Sequence, residues 1–350
     1  MRSFRPLLLI LLITVLVLAA WQILWQRGHK AVVLYCAHDA VFADGVLRAF
    51  TARTGIPVSV RFDTEATKSL GLVERLIAQA ETPECDVFWN NEQLGTMDLA
   101  RRGLLDSHKG SGWQRIPAAF RDADGRWTGF AARMRVVIDN YSQEEIASAS
   151  FYANDPHTGT IAKPLFGTTL THYCALWQRY GADAVKQWHA TLRRDGLREV
   201  DGNALVRRLV ADQTCRWGYS DTDDAFEALD AGKAINMQPA RVQFFPNLVS
   251  GPANNSPDPT IVIPNTVAVI RGAPHLESAR LLADFLASAE VEVQLARSTA
   301  RQIPLGPVDE SQVPEQVRAL RSAAAEGLPL AGLLEVRDQV LAWLKQEYAR

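Results

Sequence analysis

Apolar positions along this chain switch repeatedly between two periods. From Ala31 the run "AVVLYC" is almost continuously apolar, as a buried strand requires. "VFADGVLRAFTARTG" then spaces Phe42, Val46 and Phe50 at helical intervals and stops at Gly55. "PVSVRF" and "DVFWN" repeat the strand pattern, while "SLGLVERLIAQA" and "LGTMDLARRG" repeat the helical one, the latter closing at Gly103. This alternation predicts a parallel sheet with helices on both faces. Ligands of such sheets bind beyond the carboxyl ends of the strands. Here those ends are "CAHD" (36–39), "DTEATK" (63–68) and "NNEQ" (90–93).

The pattern then lengthens. "RWTGFAARMRVVIDN" (126–140) and "TIVIPNTVAVI" (260–270) read as two long strands that bracket a second strand–helix region. Within it, "KPLFGTTLTHYCALWQRYG" is a turn entering a helix and "GNALVRRLVADQ" is a helix. "RWGYS" is a strand, "DAFEALDAGKAINMQ" a helix and then a strand, and 246–259 a loop rich in Pro, Asn and Ser. A strong helical stretch covers 275–296, and the remainder is mostly helical. The simplest reading is two α/β lobes, each with a mostly parallel sheet. Residues 31–138 with 264–350 form lobe 1, and 139–263 form lobe 2 as an insertion.

The first 30 residues differ. Arg2 and Arg5 precede an apolar run from Pro6 to Trp25, long enough to span a bilayer with the rest of the chain outside. A cleaved signal peptide is the other reading, and both export the globular part. The chain has 37 Lys and Arg against 39 Asp and Glu, so no basic excess points to nucleic acid. In an oxidising compartment the four cysteines can pair. Cys36 and Cys85 fall at opposite strand ends, which leaves Cys174 and Cys215 as the better pair beside four free thiols.

Chemistry concentrates in "GYSDTDDAFEAL" (218–229). One aspartate caps a helix and a second suits its first turn, but a third is surplus. Carboxylates are hard ligands for Mg, Ca, Mn or ferric ions and also for an organic ammonium. Asp221 and Asp223 are the favoured ligands, with Asp224 placed in the helical turn. Asn90, Asn91 and Glu92 follow an apolar strand and read either as caps or as solute contacts. His38 and Asp39 close the first strand. Thr168 and Thr169, after Gly167, open a helix whose free N–H groups suit an anion. Arg133 or Arg135 on the long strand suits a cleft anion, with the other in an ion pair. No nucleophile elbow, P-loop, zinc-protease or dinucleotide motif occurs, so the reading is a binding protein and not an enzyme.

The segments "VVLYCAHDAVFADGVLRAFTARTGIPVSV", "CDVFWNNEQLGTMDLARRGLL", "DADGRWTGFAARMRVVIDN" and "IPNTVAVIRGAPHLESARLLADFLAS" resemble, in order, the ferric-iron-binding branch of ABC-transporter periplasmic solute-binding proteins. The resemblance spans roughly residues 31–305. It implies a two-lobed periplasmic-binding-protein fold of type II kind that closes on a solute and delivers it to a permease and ATPase. Iron-binding members hold Fe(III) with a His, a Glu and two adjacent Tyr, and seat an accompanying anion on a helix N-terminus. Here Asp39 falls at the His position with His38 one residue early, and Glu65 matches the Glu. The Gly-x-x-x-x-Tyr-Tyr stretch becomes Gly218 to Asp224, so Asp223 and Asp224 replace both tyrosines and Tyr219 lies beside them. Thr168 and Thr169 match the anion turn.

The expectation is therefore a monomeric extracytoplasmic receptor, held at the inner membrane by its N-terminal helix. Its cargo is a cation, foremost a metal ion such as ferric iron with an anion. Asp221, Asp223, Glu65 and His38 are the candidate metal ligands, and no resident cofactor is required. A polyamine, thiamine or a phosphonate is the alternative solute. A metal-dependent hydrolase or an extracytoplasmic sensor is the alternative of another class.

Overall fold

The computed structural model describes residues 31–63, 70–142, 144–145, 158–240 and 259–349. The N-terminal apolar run, Glu65 and nearly all of the 246–259 loop lie outside the described residues. Among the described residues, no helix is long and apolar enough to cross a membrane.

The expected alternation is present at the start of the chain. β1 (Val32–Cys36), α1 (Ala40–Thr54), β2 (Val58–Phe62), α2 (Leu70–Ala78), β3 (Val87–Asn90) and α3 (Gln93–Arg101) follow in order, then a short α4 (Ser111–Arg115). α1 ends where Gly55 adopts a φ of 72°, a left-handed cap that an L side chain resists. The long strand β4 (Thr128–Asp139) leads into β5 (Gly159–Ala162), α5 (Gly167–Tyr180), α6 (Ala182–Arg194), β6 (Arg198–Val200) and α7 (Asn203–Ala211). β7 (Trp217–Asp221), α8 (Thr222–Asp230), β8 (Asn236–Pro239) and the returning β9 (Val262–Val269) follow. Helices α9 (Leu276–Leu286), α10 (Ala289–Arg297), α11 (Glu315–Ala325) and α12 (Leu333–Tyr348) finish the chain. The periodicity reading had no place for β5, α6 and β6.

The nine strands among the described residues form one sheet in the order β2-β1-β3-β9-β4-β7-β5-β6, with β8 also on β4. The sheet is mixed rather than mostly parallel. β1 pairs in parallel with β2 and β3, and β5 with β6 and β7, whereas every pairing of β4 and β9 is antiparallel. The reason is connectivity: the chain leaves the first half along β4 and returns along β9, so the two run against each other.

β4 serves both halves of the sheet. It pairs with β9 from Thr128 to Met134, and with β7 from Arg135 to Asp139. All twelve of its residues are buried. Its register slips between Phe130 and Arg133, where Ala131 takes a φ of 42°. The buried carboxylate of Glu292 on α10 holds this bulge. It accepts the N–H groups of Ala131 at 2.9 Å, Leu305 at 2.8 Å and Gly306 at 3.1 Å, and pairs with Arg115 at 2.7 Å.

Apolar layers lie on both faces. Val32, Leu34, Val46, Phe50, Trp89 and Leu282 pack together on one side, and Phe88, Leu94, Leu99, Trp188 and Trp217 belong to another cluster. Each fully buried large side chain contributes about 1.5–3 kcal/mol. α12 fastens the two halves from behind. Trp343 sits 5.5 Å from the Trp177 ring of α5, while Arg337 reaches buried Asp98 of α3 at 3.4 Å.

All four cysteines are buried free thiols, so the expected Cys174–Cys215 bridge is absent. Cys174 packs in the Trp188–Trp217 cluster, whereas Cys215 belongs to a separate cluster with Val206 and Val210.

Candidate ligand cavity

A cavity of about 180 Å³ opens beyond the carboxyl ends of β1 and β7. One wall carries His38, Asp39, Asn91 and Arg133. The other carries Thr168, Thr169, Asp201, Asn203, Asp221, Asp223, Asp224 and Glu227. The first turns of α5, α7 and α8 all reach it, because each follows a strand or turn that ends at this edge.

Asp221 ends β7 at the N-cap position of α8, yet its side chain makes no capping hydrogen bond. It is turned inward instead. Oδ1 accepts from Arg135 Nη1 at 2.8 Å. Oδ2 accepts from Arg133 Nε at 3.1 Å, Thr168 Oγ1 at 2.8 Å and Asn203 Nδ2 at 3.0 Å. Burial alone would raise this carboxyl, but Arg135 and Arg133 overcome it and hold Asp221 below the usual carboxylate range. It is the ionic keystone of the wall.

Asp223 and Asp224 occupy the first turn of α8 and face the cavity. One oxygen from each of Asp221, Asp223 and Asp224 lies within 4.8 Å of the others. Burial and the neighbouring charges of Asp221 and Asp39 push Asp223 up to about 6, against the pull of Arg133. Burial and the charges of Asp223 and Asp221 push Asp224 up to about 8. Asp224 also accepts from Ser220 Oγ at 3.0 Å. Two adjacent carboxyls raised in this way resist ionising together.

The anion-side features are equally specific. Gly167 opens α5 at a φ of 59°, a conformation that favours glycine. Thr169 lines the cavity beside it. The Thr168 hydroxyl is already committed, donating to Asp221 and accepting from Asn203 Nδ2 at 2.9 Å and Arg135 Nη1 at 3.1 Å.

No family model matches the chain. Iron uptake protein A2 of a Synechocystis strain is 24% identical over 246 residues, 65% of this chain and 65% of that protein, so the match spans just under two thirds of the relative. Among solved structures, iron-bound HitA from Pseudomonas aeruginosa matches at a TM-score of 0.70 and 17% identity, covering 90% of this chain and 99% of that one. Apo ferric ion-binding protein A of Pasteurella haemolytica matches at 0.73 and 16%, covering 90% and 97%. The fold is that of the periplasmic ferric-binding proteins. AfuA from Actinobacillus pleuropneumoniae, solved with fructose-6-phosphate, shares it at a TM-score of 0.69 and 14% identity, covering 89% and 97%. One scaffold therefore carries both iron and a sugar phosphate among these neighbours.

The expected residues divide accordingly. His38, Asp39, Asn91, Arg133, Thr168, Thr169, Asp221, Asp223 and Asp224 come together. Asp39 sits at the N-cap position of α1, but its side chain makes no cap bond. His38 lines the wall, although both ring nitrogens are engaged. Nδ1 accepts the Asp39 N–H at 2.9 Å, and Nε2 meets Gln302 at 3.0 Å. His38 therefore lines the cavity with both ring nitrogens in contact.

Three expected contacts are displaced. Glu92 caps α3, accepting from Leu94 N at 2.6 Å and Gly95 N at 2.7 Å, and burial raises its carboxyl. Asn90 is fully buried, bonded to Glu92 and Thr96. Tyr219 shares the inward face of β7 with Trp217 and packs edge-on to His172 at 4.6 Å, away from the cavity lining. All three aspartates line the cavity, with Asp221 additionally bonded to Arg133, Arg135, Thr168 and Asn203. Asp201, Asn203 and Glu227 were not anticipated. "DGN" just before the amphipathic run at 204–211 is the sequence signal for the first two.

Proposed function

We propose that the chain is an exported solute-binding receptor of an ABC importer. Its cargo is a hard metal cation, iron(III) foremost, taken with an accompanying oxyanion. One observation carries this reading: six carboxylates line the cavity, and two of them, Asp223 and Asp224, lie side by side with Asp39 near enough to raise Asp223. Oxygen donors of this kind suit hard cations. The relative's name, iron uptake protein A2, supports the cargo. Replacement of two phenolates by two carboxylates keeps the donors hard while making them less basic.

In the same reading, residues 31–138 with 264–350 form one lobe and 139–263 the other, and the lobes close on the cargo. Asp39 approaches from the first, and Asp223 and Asp224 from the second. The apolar N-terminal run holds the receptor at the inner membrane, and permease and ATPase subunits are its partners.

The test is thermal unfolding and calorimetry of the full chain in detergent with iron(III), other metals, polyamines, thiamine and phosphonates. Metal-dependent stabilisation without turnover supports the reading. Stabilisation by an organic solute alone, with none by metals, overturns it.

A further inference from the structure

The last helix reaches from one half of the molecule to the other. Toward the second half α12 presents aromatic rings. Trp343 meets Trp177 of α5 at 5.5 Å and His189 of α6 edge-on at 5.4 Å, and Tyr348 donates to Glu199 on β6. Toward the first half it presents charge. Arg337 Nη1 lies 3.4 Å from Asp98 Oδ2, and Asp338 pairs with Arg101 at 2.9 Å, both partners on α3. Arg337 is 7% exposed and also lines a crevice between the starts of α3 and α5. Asp98 does not depend on it, since Arg101 at 2.6 Å and Arg102 at 3.0 Å already serve both oxygens. The Arg337 pair is the longest of Asp98's three.

We propose that the Arg337–Asp98 contact opposes lobe closure: it favours the open, empty receptor and so lowers cargo affinity from a distance. The proposal rests on the lobe reading above, with α12 moving with the second lobe. The direction follows from position. β3 runs parallel to β1 and ends at the cavity end of the sheet, so α3 runs back from it. Just past α3, Leu105 bridges Ile270 beyond the end of β9, which is antiparallel to β3. The α3–α12 ion pairs therefore lie toward the end of the sheet away from the cavity. Lobes that pivot on β4 and β9 cannot hold both ends fixed, and closing the mouth draws the far contact apart. A cargo that binds only the closed form loses affinity in proportion to the fraction of receptor that is open.

The test uses the full chain in detergent, spin-labelled through Val41→Cys and Leu229→Cys. Both positions are exposed, at 77% and 41%, and flank opposite cavity walls, while the native thiols are buried. Double electron–electron resonance reads the distance across the mouth, terbium(III) luminescence reads cargo affinity, and melting curves verify folding. Arg337→Met keeps the apolar stem and removes the charge. It should shorten the mouth distance of the empty protein and tighten terbium binding about fivefold, the lower end of coupling between sites. Asp338→Asn, at the more exposed pair, should move both in the same direction by less. The proposal is overturned if both variants keep the wild-type mouth distance, or if either lengthens it. A wild type that ignores terbium overturns the metal reading instead, and the distances in the empty variants still decide what the contact does.

Discussion

Arg301 and Asp230 join two distant stretches of chain through paired hydrogen bonds, both of 2.7 Å. Arg301 follows α10, and Asp230 ends α8, the helix that carries Asp223 and Asp224. The guanidinium also stands over the Phe226 ring at 5.0 Å. The pair ties the cavity's acidic wall to the opposite half. Arg301→Ala should widen the particle in small-angle scattering and weaken cargo binding by up to about fivefold, the range of a part-exposed pair. Unchanged scattering and affinity would exclude a role in closure.

The raised Asp223 and Asp224 carboxyls dictate a pH dependence. Both hold protons in the folded, empty protein at pH values where a free aspartate is ionised. The native state therefore binds more protons than the unfolded chain, and stability falls as pH rises from about 4 through about 6 and about 8. Metal affinity moves the other way, since the cation must displace those protons. Melting temperature of the empty protein against pH should slope downward over this window, and Asp224→Asn should flatten it. A flat wild-type profile would contradict the assignment.

Asp221 and its neighbours should separate cleanly by mutation. Asp223→Asn and Asp224→Asn remove cavity-facing oxygens and should lower metal affinity by about a hundredfold, in the manner of lost charge-assisted contacts, with melting preserved. Asp221→Asn instead leaves buried Arg133 and Arg135 poorly compensated and should destabilise by about 3–5 kcal/mol. Denaturant unfolding distinguishes the two classes. An Asp221→Asn protein of wild-type stability would refute the keystone role.

Glu292 makes a third kind of contribution, to the backbone. Its carboxylate is the shared acceptor for Ala131, Leu305, Gly306 and Arg115. Glu292→Gln places an amide where acceptors are needed and should cost about 3 kcal/mol. Hydrogen exchange should quicken first around residues 130–133. Uniform protection in the variant would argue against local control of the bulge.

The four thiols should remain free. Burial raises Cys85 and Cys174 above their ordinary range, so alkylation of the folded protein should be slow and become complete only in denaturant. Intact mass should be the same with and without reductant. A two-dalton difference would reveal a bridge that this structure does not contain.

The strand and helix identities of residues 31–103 were legible because apolar spacing alone determines them. Strand direction at β4 and β9 was not, since it depends on where the chain returns more than a hundred residues later. The acidic stretch 221–224 was visible at once, but the division of labour within it was hidden. Arg133 and Arg135, which claim Asp221, lie 88 and 86 residues away. Glu92 misled for a local reason: Asn and Asp are the usual caps, yet here a glutamate does that work and Asn90 supports it.

β1 runs from Val32 to Cys36, so Val32 stands about 13 Å from the end of the strand that leads to His38. The chain enters the body at the end of the sheet opposite the cavity. A membrane tether ahead of Val32 would therefore hold the receptor with its mouth facing away from the bilayer. In the function proposed above, capture would suit that orientation, and handing cargo to a membrane partner would require the body to turn over on its leash. The length of the leash, and not only the affinity of the cavity, would then govern how often a loaded receptor can unload.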